Sequence, residues 1–597
     1  MKLSKLYSNK PDRFVPVSFS PGLSAVLAEI RVPDNRNKDT HNLGKTTLGR
    51  VINFCLLSRR DPNFFLFKHE DRFGDFIFFL ELHVLDGSYI TVRRAVREAS
   101  KISFKRHDTP DKDFSDLPDA QWDHSDVAFE KAQELLDGAL DLRDLTPWDY
   151  RNVVGYMIRS QDDYRDVFQL RKFSGAHADW KPFLAHLLGF DAQLIVEHYK
   201  KDEELAKKKE QEETIKQELG GSVGDISKIE GMLLLKQKEA EKKQALLDAF
   251  DFRQADKDKT RLVVDELDAA IGQLNAERYS LMQNRKKILA SLEDEEILFS
   301  PASATELFAE AGIVFGGQIK KDFEQLIAFN QAITEERRGY LKDELAEVEA
   351  ELKQVNAEVL RRGKQRTDTL AFLSGADVFA KYKQVTDELV TLRADITSLE
   401  RQRQFLRRLQ ELRASIRTLT EERSHLQTQI EADVEKQNAE NASKFSNIRI
   451  FFSEIVEEVI DRKALLSVTP NQYGHLEFKA EILDESGNAT SADLGATYRK
   501  LLCVAFDLAV IRGHLDGRFP RFVFHDGVFE SLDDRKKHNL LSVLRSYVAL
   551  GVQEIITMID SDLPVLAPGE TFLEDAEVAL RLHDQDESGR LFRMAAW

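Results

Sequence analysis

LKDELAEVEAELKQVNAEV, residues 341–359, decides how the middle of this chain folds. Leu341, Leu345, Val348, Leu352, Val355 and Val359 alternate spacings of four and three. That period lays one apolar seam along a helix and predicts a coiled coil. A similar series, Leu267, Ile271, Leu274, Leu281, Ile288 and Leu292, precedes it, and Val385, Leu389, Leu392, Ile396 and Leu399 follow it. The last series resumes out of phase at Leu412, Ile416, Leu419, Leu426 and Ile430, and slips of this kind overwind or unwind a supercoil locally. Glycines in LGGSVGD, Leu219–Asp225, are expected to break the first arm.

Between the series lies LFSPASATELFAEAGIVFGGQIKKDF, residues 298–323, where heptads stop and Pro, Gly and Phe appear. A chain reversal there pairs two arms of about 100 residues as an antiparallel hairpin, a rod on the order of 150 Å long. The alternatives are a solvated single helix and a parallel dimer. The hairpin reading divides the chain into a first flank, 1–196, an arm, 197–297, a turn, 298–335, a second arm, 336–441, and a second flank, 442–597.

Composition narrows the function classes. The chain carries 85 basic and 103 acidic side chains, a net charge of −18, so it is not as a whole an electrostatic glove for nucleic acid. Basic runs such as Arg401–Arg408 and Lys207–Lys209 are local exceptions, although charge runs on coiled coils are usually solvated faces. Two cysteines, Cys55 and Cys503, provide neither a disulfide framework nor a CxxC metal knuckle. No apolar run approaches the roughly 18 residues that suggest a membrane span, and the first residues lack a signal-peptide core. A soluble, cytoplasmic protein without membrane contact is expected.

Both flanks read as α/β. Leu23–Ile30, Phe76–Leu85 and Tyr89–Val92 are strand-like on one side, and HLEFKAEIL, Arg521–Phe524 and Glu554–Ile559 on the other, interleaved with helical KLLCVAFDLAVIRGHL. Neither flank is complete alone. The first holds DTHNLGKTTLG, Asp39–Gly49, in which Gly44, Lys45 and Thr46 end a phosphate-loop pattern whose earlier Gly is Asp39. In such loops backbone N–H groups wrap phosphates, the Lys bridges them and the hydroxyl binds Mg²⁺. Asn42 tolerates the positive φ often filled by Gly. The second flank holds RFVFHDGVFESLDD, Arg521–Asp534, a short apolar run ending in Asp526, and, before it, SADLGATYRKLLCVAFDLAVI, Ser491–Ile511, a small-residue turn opening a long helix. A helix start of this kind suits a phosphate. Gln161 in MIRSQDDYRDVF and His525 carry little weight alone.

In this order these motifs resemble SMC-like ATPases, a group that includes the Rad-type repair ATPase and RecN. HNLGKTTL, the Gln161 segment, GATYRKLLCVAFDLAV and FVFHDGVFESLDD most resemble a bacterial group of short SMC-like ATPases of unknown function, found beside phage-defence or three-component ABC-type systems. The resemblance implies an ABC-type α/β head assembled from both flanks, with the antiparallel hairpin inserted between them. It implies ATP and Mg²⁺ as cofactors, with Asn42, Leu43, Gly44, Lys45, Thr46 and Thr47 forming the phosphate loop and Thr46, Asp526 and Gln161 the metal site. Gly495 and Ala496 become the signature turn, and Leu532 and Asp533 the D-loop. Partners implied are a second copy through the heads, double-stranded DNA, and an operon-encoded protein or nuclease effector. A DNA-repair ATPase acting with a nuclease and a structural scaffold with a non-hydrolysing nucleotide switch are the alternatives. One departure weighs on catalysis. The Glu that normally follows the strand-end Asp is Gly527; Glu530, three residues further on, reaches its place only if the local turn differs, so ATP binding is expected ahead of rapid hydrolysis and the base stays open. The histidine expected after the next strand is also missing, with Asp560 or Ser561 in its neighbourhood.

Overall fold

The computed structural model describes residues 1–32, 43–170, 175–218, 226–249, 257–293, 317–371, 376–490, 495–565 and 571–595. Two compact units result. One combines Met1–Asp202 with Glu422–Trp597, and the other is Glu203–Glu421.

In the first unit the strands are β1 (Lys2–Ser8), β2 (Val17–Ser18), β3 (Leu23–Glu29), β4 (Ile77–His83), β5 (Tyr89–Ala95), β6 (Lys101–His107), β7 (His124–Ala128), β8 (Ile158–Arg159), β9 (Ala464–Pro470), β10 (Leu476–Ile482), β11 (Phe522–His525), β12 (Gln553–Ile559) and β13 (Val578–His583). A five-stranded parallel sheet runs β13-β3-β12-β11-β8, and a six-stranded antiparallel sheet runs β2-β1-β4-β5-β6-β7. The apolar strands β3, β11 and β12 are buried along almost their whole length, as expected of parallel strands covered on both faces. In register, Leu23–Ala28 of β3 lie beside Glu554–Ile559 of β12, so the central sheet draws on both ends of the chain. The helix Lys45–Cys55 buries Leu48, Val51, Ile52 and Cys55 against strands of both sheets. β9 and β10 form a separate hairpin.

The second unit is helical. Lys257–Glu293 and Gly317–Ala371 pair along their lengths, and the long helix Ala376–Ala439 contributes much of the rest. Arg413 pairs with Glu212, Arg407 with Glu230, Lys236 with Asp395 and Arg285 with Glu349. Partner numbers fall as the first number rises, so these helices run antiparallel. Seam residues Ile271, Ile288, Val348, Val355, Leu389 and Leu399 are buried, as heptad positions a and d require. Arg407 and Lys207, from the two basic runs, are engaged with Glu230 and Glu203. The expected break at Leu219–Asp225 and residues 298–316 of the expected turn lie outside the described residues, and the rest of that turn, 317–335, is already helix, the first part of Gly317–Ala371.

Polar groups interrupt the apolar interior of the parallel sheet. Arg159 at the end of β8 grips Asp507 through two hydrogen bonds of 2.6 and 2.8 Å, and both side chains have no solvent exposure. His525 of β11 reaches the same carboxylate at 3.2 Å. Glu554 of β12 is fully buried, neither of its oxygens has a hydrogen-bond partner among the described residues, and His525 Nδ1 stands 4.0 Å away. Burial, followed by the charge of Asp507, holds the Glu554 carboxyl well above the ordinary glutamate range. The folded state keeps this proton while the unfolded chain releases it near its usual 4.5, so the stability it contributes is full below that pH and is lost as pH rises. We predict that Glu554→Gln is more stable than the parent at about pH 7 and nearly equal at about pH 4, with a slope difference approaching 1.4 kcal/mol per pH unit in denaturant titrations.

Candidate functional site

The phosphate-loop candidate ends on a built corner. Gly44 takes φ +106° and precedes the helix Lys45–Cys55, whose start has no side-chain cap and no acidic residue in its first turn. A Cβ at Gly44 would stand 2.5 Å from Cβ of Leu591, so glycine answers both the backbone conformation and the close approach. Leu591 N–H donates to the carbonyl of Leu43 at 2.9 Å and fastens the loop to the C-terminal segment. Leu43 is buried, and Asn42 lies outside the described residues.

Thr46 Oγ1 donates to Asp526 Oδ2 at 2.6 Å, joining residues 480 positions apart. The other oxygen of Asp526 accepts from Thr557 Oγ1 at 2.6 Å, and its backbone N–H donates to the Arg159 carbonyl at 3.0 Å. Asp526 is thereby fixed between β8 and β12, at the C-terminal end of β11, where open parallel sheets place their ligands. Lys45 is half-buried, and burial lowers its pKa against the raising influence of Glu530, Asp526, Asp562 and Asp560. Thr47 follows in the same first helical turn.

The turn after Asp526 carries the departure from the expected pattern. Gly527 has φ +63° and Ser531 has φ +68°, so the chain doubles back and returns Glu530 toward the strand end. A Cβ on Gly527 would lie 2.5 Å from Glu530 Oε1 and 2.9 Å from Gln161 Nε2. The space a side chain at 527 would fill is occupied by the Glu530 carboxyl. Gln161 Nε2 donates to Glu530 Oε1 at 2.7 Å, and Lys500 Nζ donates to the Gly527 carbonyl at 2.8 Å and to Glu530 Oε2 at 3.4 Å. Burial pushes the Glu530 pKa up, opposed by Lys500 and Lys45 and assisted by Asp562 and Asp526. A carboxylate in that state is a better proton acceptor than an exposed one.

The structure thus brings Lys45, Thr46, Asp526, Gln161 and Glu530 to one place. The remaining residues singled out in the sequence make other contacts. Gly495 and Ala496 open the helix Ala496–Gly513, of which Lys500, one turn in, is the part that reaches the cluster. Asp533 caps the helix Asp534–Ala549, accepting from Lys536 N–H at 3.0 Å and pairing with its ammonium at 2.7 Å. His525 points into the buried network with Asp507. Asp560 holds a turn by accepting from Ile30 N–H at 2.9 Å.

Comparison with known proteins adds three findings. Residues 455–596 match the model of a family described as an uncharacterised protein conserved in bacteria (DUF2326). No curated protein matches the chain. Among solved structures, the chain is similar to the Smc head domain with a coiled coil and joint from Pyrococcus yayanosii, at 14% identity and TM-score 0.34, covering 94% of this chain and 92% of that one. It is also similar to the Smc head domain with an extended coiled coil bound to the C-terminal domain of ScpA from Pyrococcus furiosus, at 13% identity and TM-score 0.33, covering 94% and 90%.

Four contributors escape a reading of the motifs. Lys500 falls within the quoted signature stretch, yet only the fold directs it at Glu530. Thr557, Leu591 and the Arg159–Asp507 pair act through contacts distant in sequence, and no local pattern announces them. For Gly527→Ala we expect a loss of about 1–2 kcal/mol from the left-handed backbone alone. A crystal structure of that variant is expected to show the Glu530 carboxyl displaced from Gln161, and denaturant melts measure the energy.

Proposed function

We propose that the chain is an SMC-like ATPase in which ATP binding between two engaged heads drives a coiled-coil arm and signals to a partner protein. The observation that carries this reading is the 2.6 Å hydrogen bond from Thr46 to Asp526, which unites a GKT loop with a strand-end carboxylate. The surroundings fit the cofactor: an uncapped helix start and a half-buried ammonium suit phosphates, and a hydroxyl–carboxylate pair suits a hard dication. Lys45 and the backbone of 44–47 would hold the phosphates, and Thr46, Asp526 and Gln161 the Mg²⁺. Bound MgATP supplies the phosphoryl group and a metal charge that offsets the charge of its oxygens. Glu530 is the proton acceptor for an attacking water, oriented by Gln161. Gly495, Ala496 and Asp533 belong, on this reading, to the face that a second copy presents.

Double-stranded DNA as the cargo of the arm and an operon-encoded effector as the recipient of the signal are part of the same proposal, with antiphage defence as its setting. Their support is the resemblance of the four motifs to the bacterial group described above. A second reading, a switch that binds ATP without turning it over, draws on Lys500. Its ammonium holds both the Gly527 carbonyl and Glu530, an arrangement that lowers the basicity of the carboxylate.

Lys45→Ala is expected to abolish ATP binding in calorimetry and ATP-dependent dimers in light scattering; unchanged affinity defeats the ATPase reading. Glu530→Gln is expected to keep binding and lower turnover roughly 10²- to 10⁴-fold, the usual cost of a lost general base. Turnover that stays at background in the parent, with DNA and the neighbouring gene product present, selects the binding-only switch.

A further inference from the structure

A second cluster of ligating side chains lies away from the phosphate loop, and the proposed function does not use it. His198 and Asp202 stand one turn apart on the helix Ala192–Glu218, and His475 sits in the turn between β9 and β10. Spacing of i and i+4 puts the first two on one helix face. His475 Nε2 lies 3.0 Å from Asp202 Oδ2, His198 Nδ1 lies 3.7 Å from the same oxygen, and one ligand atom from each residue falls within 4.8 Å of the other two. Zinc bond lengths of about 2.0–2.2 Å place neighbouring ligand atoms of a tetrahedron roughly 3.3 Å apart, between these two separations.

The surrounding chain is built to hold them. Asn471 N–H donates to the His475 carbonyl at 2.9 Å, Gly474 N–H donates to the Asn471 carbonyl at 2.9 Å, and His475 N–H donates to Asn471 Oδ1 at 3.2 Å. Gly474, at φ +84°, is the residue that lets this turn approach the helix: a Cβ there would stand 2.9 Å from His198 Nε2. The Tyr199 ring stacks on His475 at 4.5 Å between centroids and 19° between planes, which fixes the imidazole's orientation. Arg423 Nη1 donates to Asp202 Oδ1 at 3.3 Å and so engages the oxygen that faces away from His475.

The ring nitrogens that face Asp202 Oδ2 are His198 Nδ1 and His475 Nε2, and His198 is 1% exposed. The opposite nitrogens, His198 Nε2 and His475 Nδ1, have no hydrogen-bond partner among the described residues, so neither is held as an acceptor that would force a proton onto the nitrogen facing Asp202. Two imidazoles and a carboxylate are the donor set of borderline dications, chiefly Zn²⁺, and three protein ligands leave a fourth position for water.

We infer that His198, Asp202 and His475 form a binding site for a single Zn²⁺-class ion that clips the helix Ala192–Glu218 to the β9–β10 hairpin. Charge is compatible: one carboxylate and two neutral imidazoles receive the dication, with the Arg423 guanidinium on the far oxygen as the opposing group.

Tag-free full-length protein tests it. After gel filtration from buffer containing Zn²⁺, elemental analysis is expected to find one tightly held zinc per chain, and Co²⁺ loading is expected to give the visible ligand-field bands of a four-coordinate site. His475→Ala, a partly exposed turn residue, is expected to weaken Zn²⁺ binding by more than the roughly 10- to 100-fold that losing a group behind a ligand costs. Asp202→Asn is expected to act in the same direction, and zinc is expected to raise the melting temperature of the parent but not of His475→Ala. His425→Ala, at an exposed histidine, serves as the control and is expected to bind like the parent. Equal zinc and cobalt binding by the parent and His475→Ala, or no binding by either, overturns the inference.

Discussion

Parallel pairing of β3 with β12 is the contact on which the first unit depends, because it seats Leu23–Ala28 beside Glu554–Ile559. Without it the phosphate loop that follows β3 and the carboxylate that ends β11 belong to separate pieces. Bringing such distant segments together carries a loop-closure cost, but that cost grows only as the logarithm of length, by about 0.6 kcal/mol for each doubling. The antiparallel pairing inside the second unit, with Glu212 held by Arg413, returns an inserted segment near to where it left. An insertion built this way adds length without adding much separation between the strands that must meet.

Once the sheet is closed, the geometry of the candidate site turns on one tight turn. Gly527 follows Asp526, and the space a side chain there would fill holds the Glu530 carboxyl. Gly527 and Ser531, both with positive φ, fold the turn so that Glu530 takes the position beside Gln161. Gly527 is required for this in two ways: a side chain there would be strained at φ +63° and would collide with the carboxyl it makes room for. The Glu530 carboxyl stands between Lys500 and Gln161, and it feels the charges of Lys45 and Asp526.

How much of this was legible beforehand divides along a physical line. Heptads at Leu341–Val359, the apolar strands and the GKT at Gly44–Thr46 were readable because each is a local pattern with a local cause: seam periodicity, burial on two faces, and a helix start. Glu530 was readable as a candidate but its reach was not, because the sequence alone does not specify two positive-φ turns, one of them at a serine. Lys500 and Leu591 were invisible for another reason. Their roles arise where separate elements touch, and the identity of a lysine on a helix or a leucine near the C-terminal end says nothing about what lies opposite. The metal-ligand cluster belongs to the same class, since His475 is more than 270 positions from His198 and joins it only when the hairpin packs.

Beneath the site lies a buried ionic network that packing alone does not require. A buried pair such as Arg159 and Asp507 costs several kcal/mol in desolvation for each charge, and an apolar pair of similar size is often as stable. What the pair adds is direction. Arg159 also donates to the carbonyls of Asp163, Asp166 and Val167, so one guanidinium fixes the segment that carries Gln161 against the helix that carries Lys500. His525, next in sequence to Asp526, closes on the same aspartate. The residues flanking Glu530 on two sides and the strand that presents Asp526 therefore share one carboxylate, Asp507, as a common anchor. Apolar substitutes could fill the volume, but they could not hold three elements to one point with the angular precision of hydrogen bonds. The network is best understood as the rigid base against which the turn at Gly527 is set.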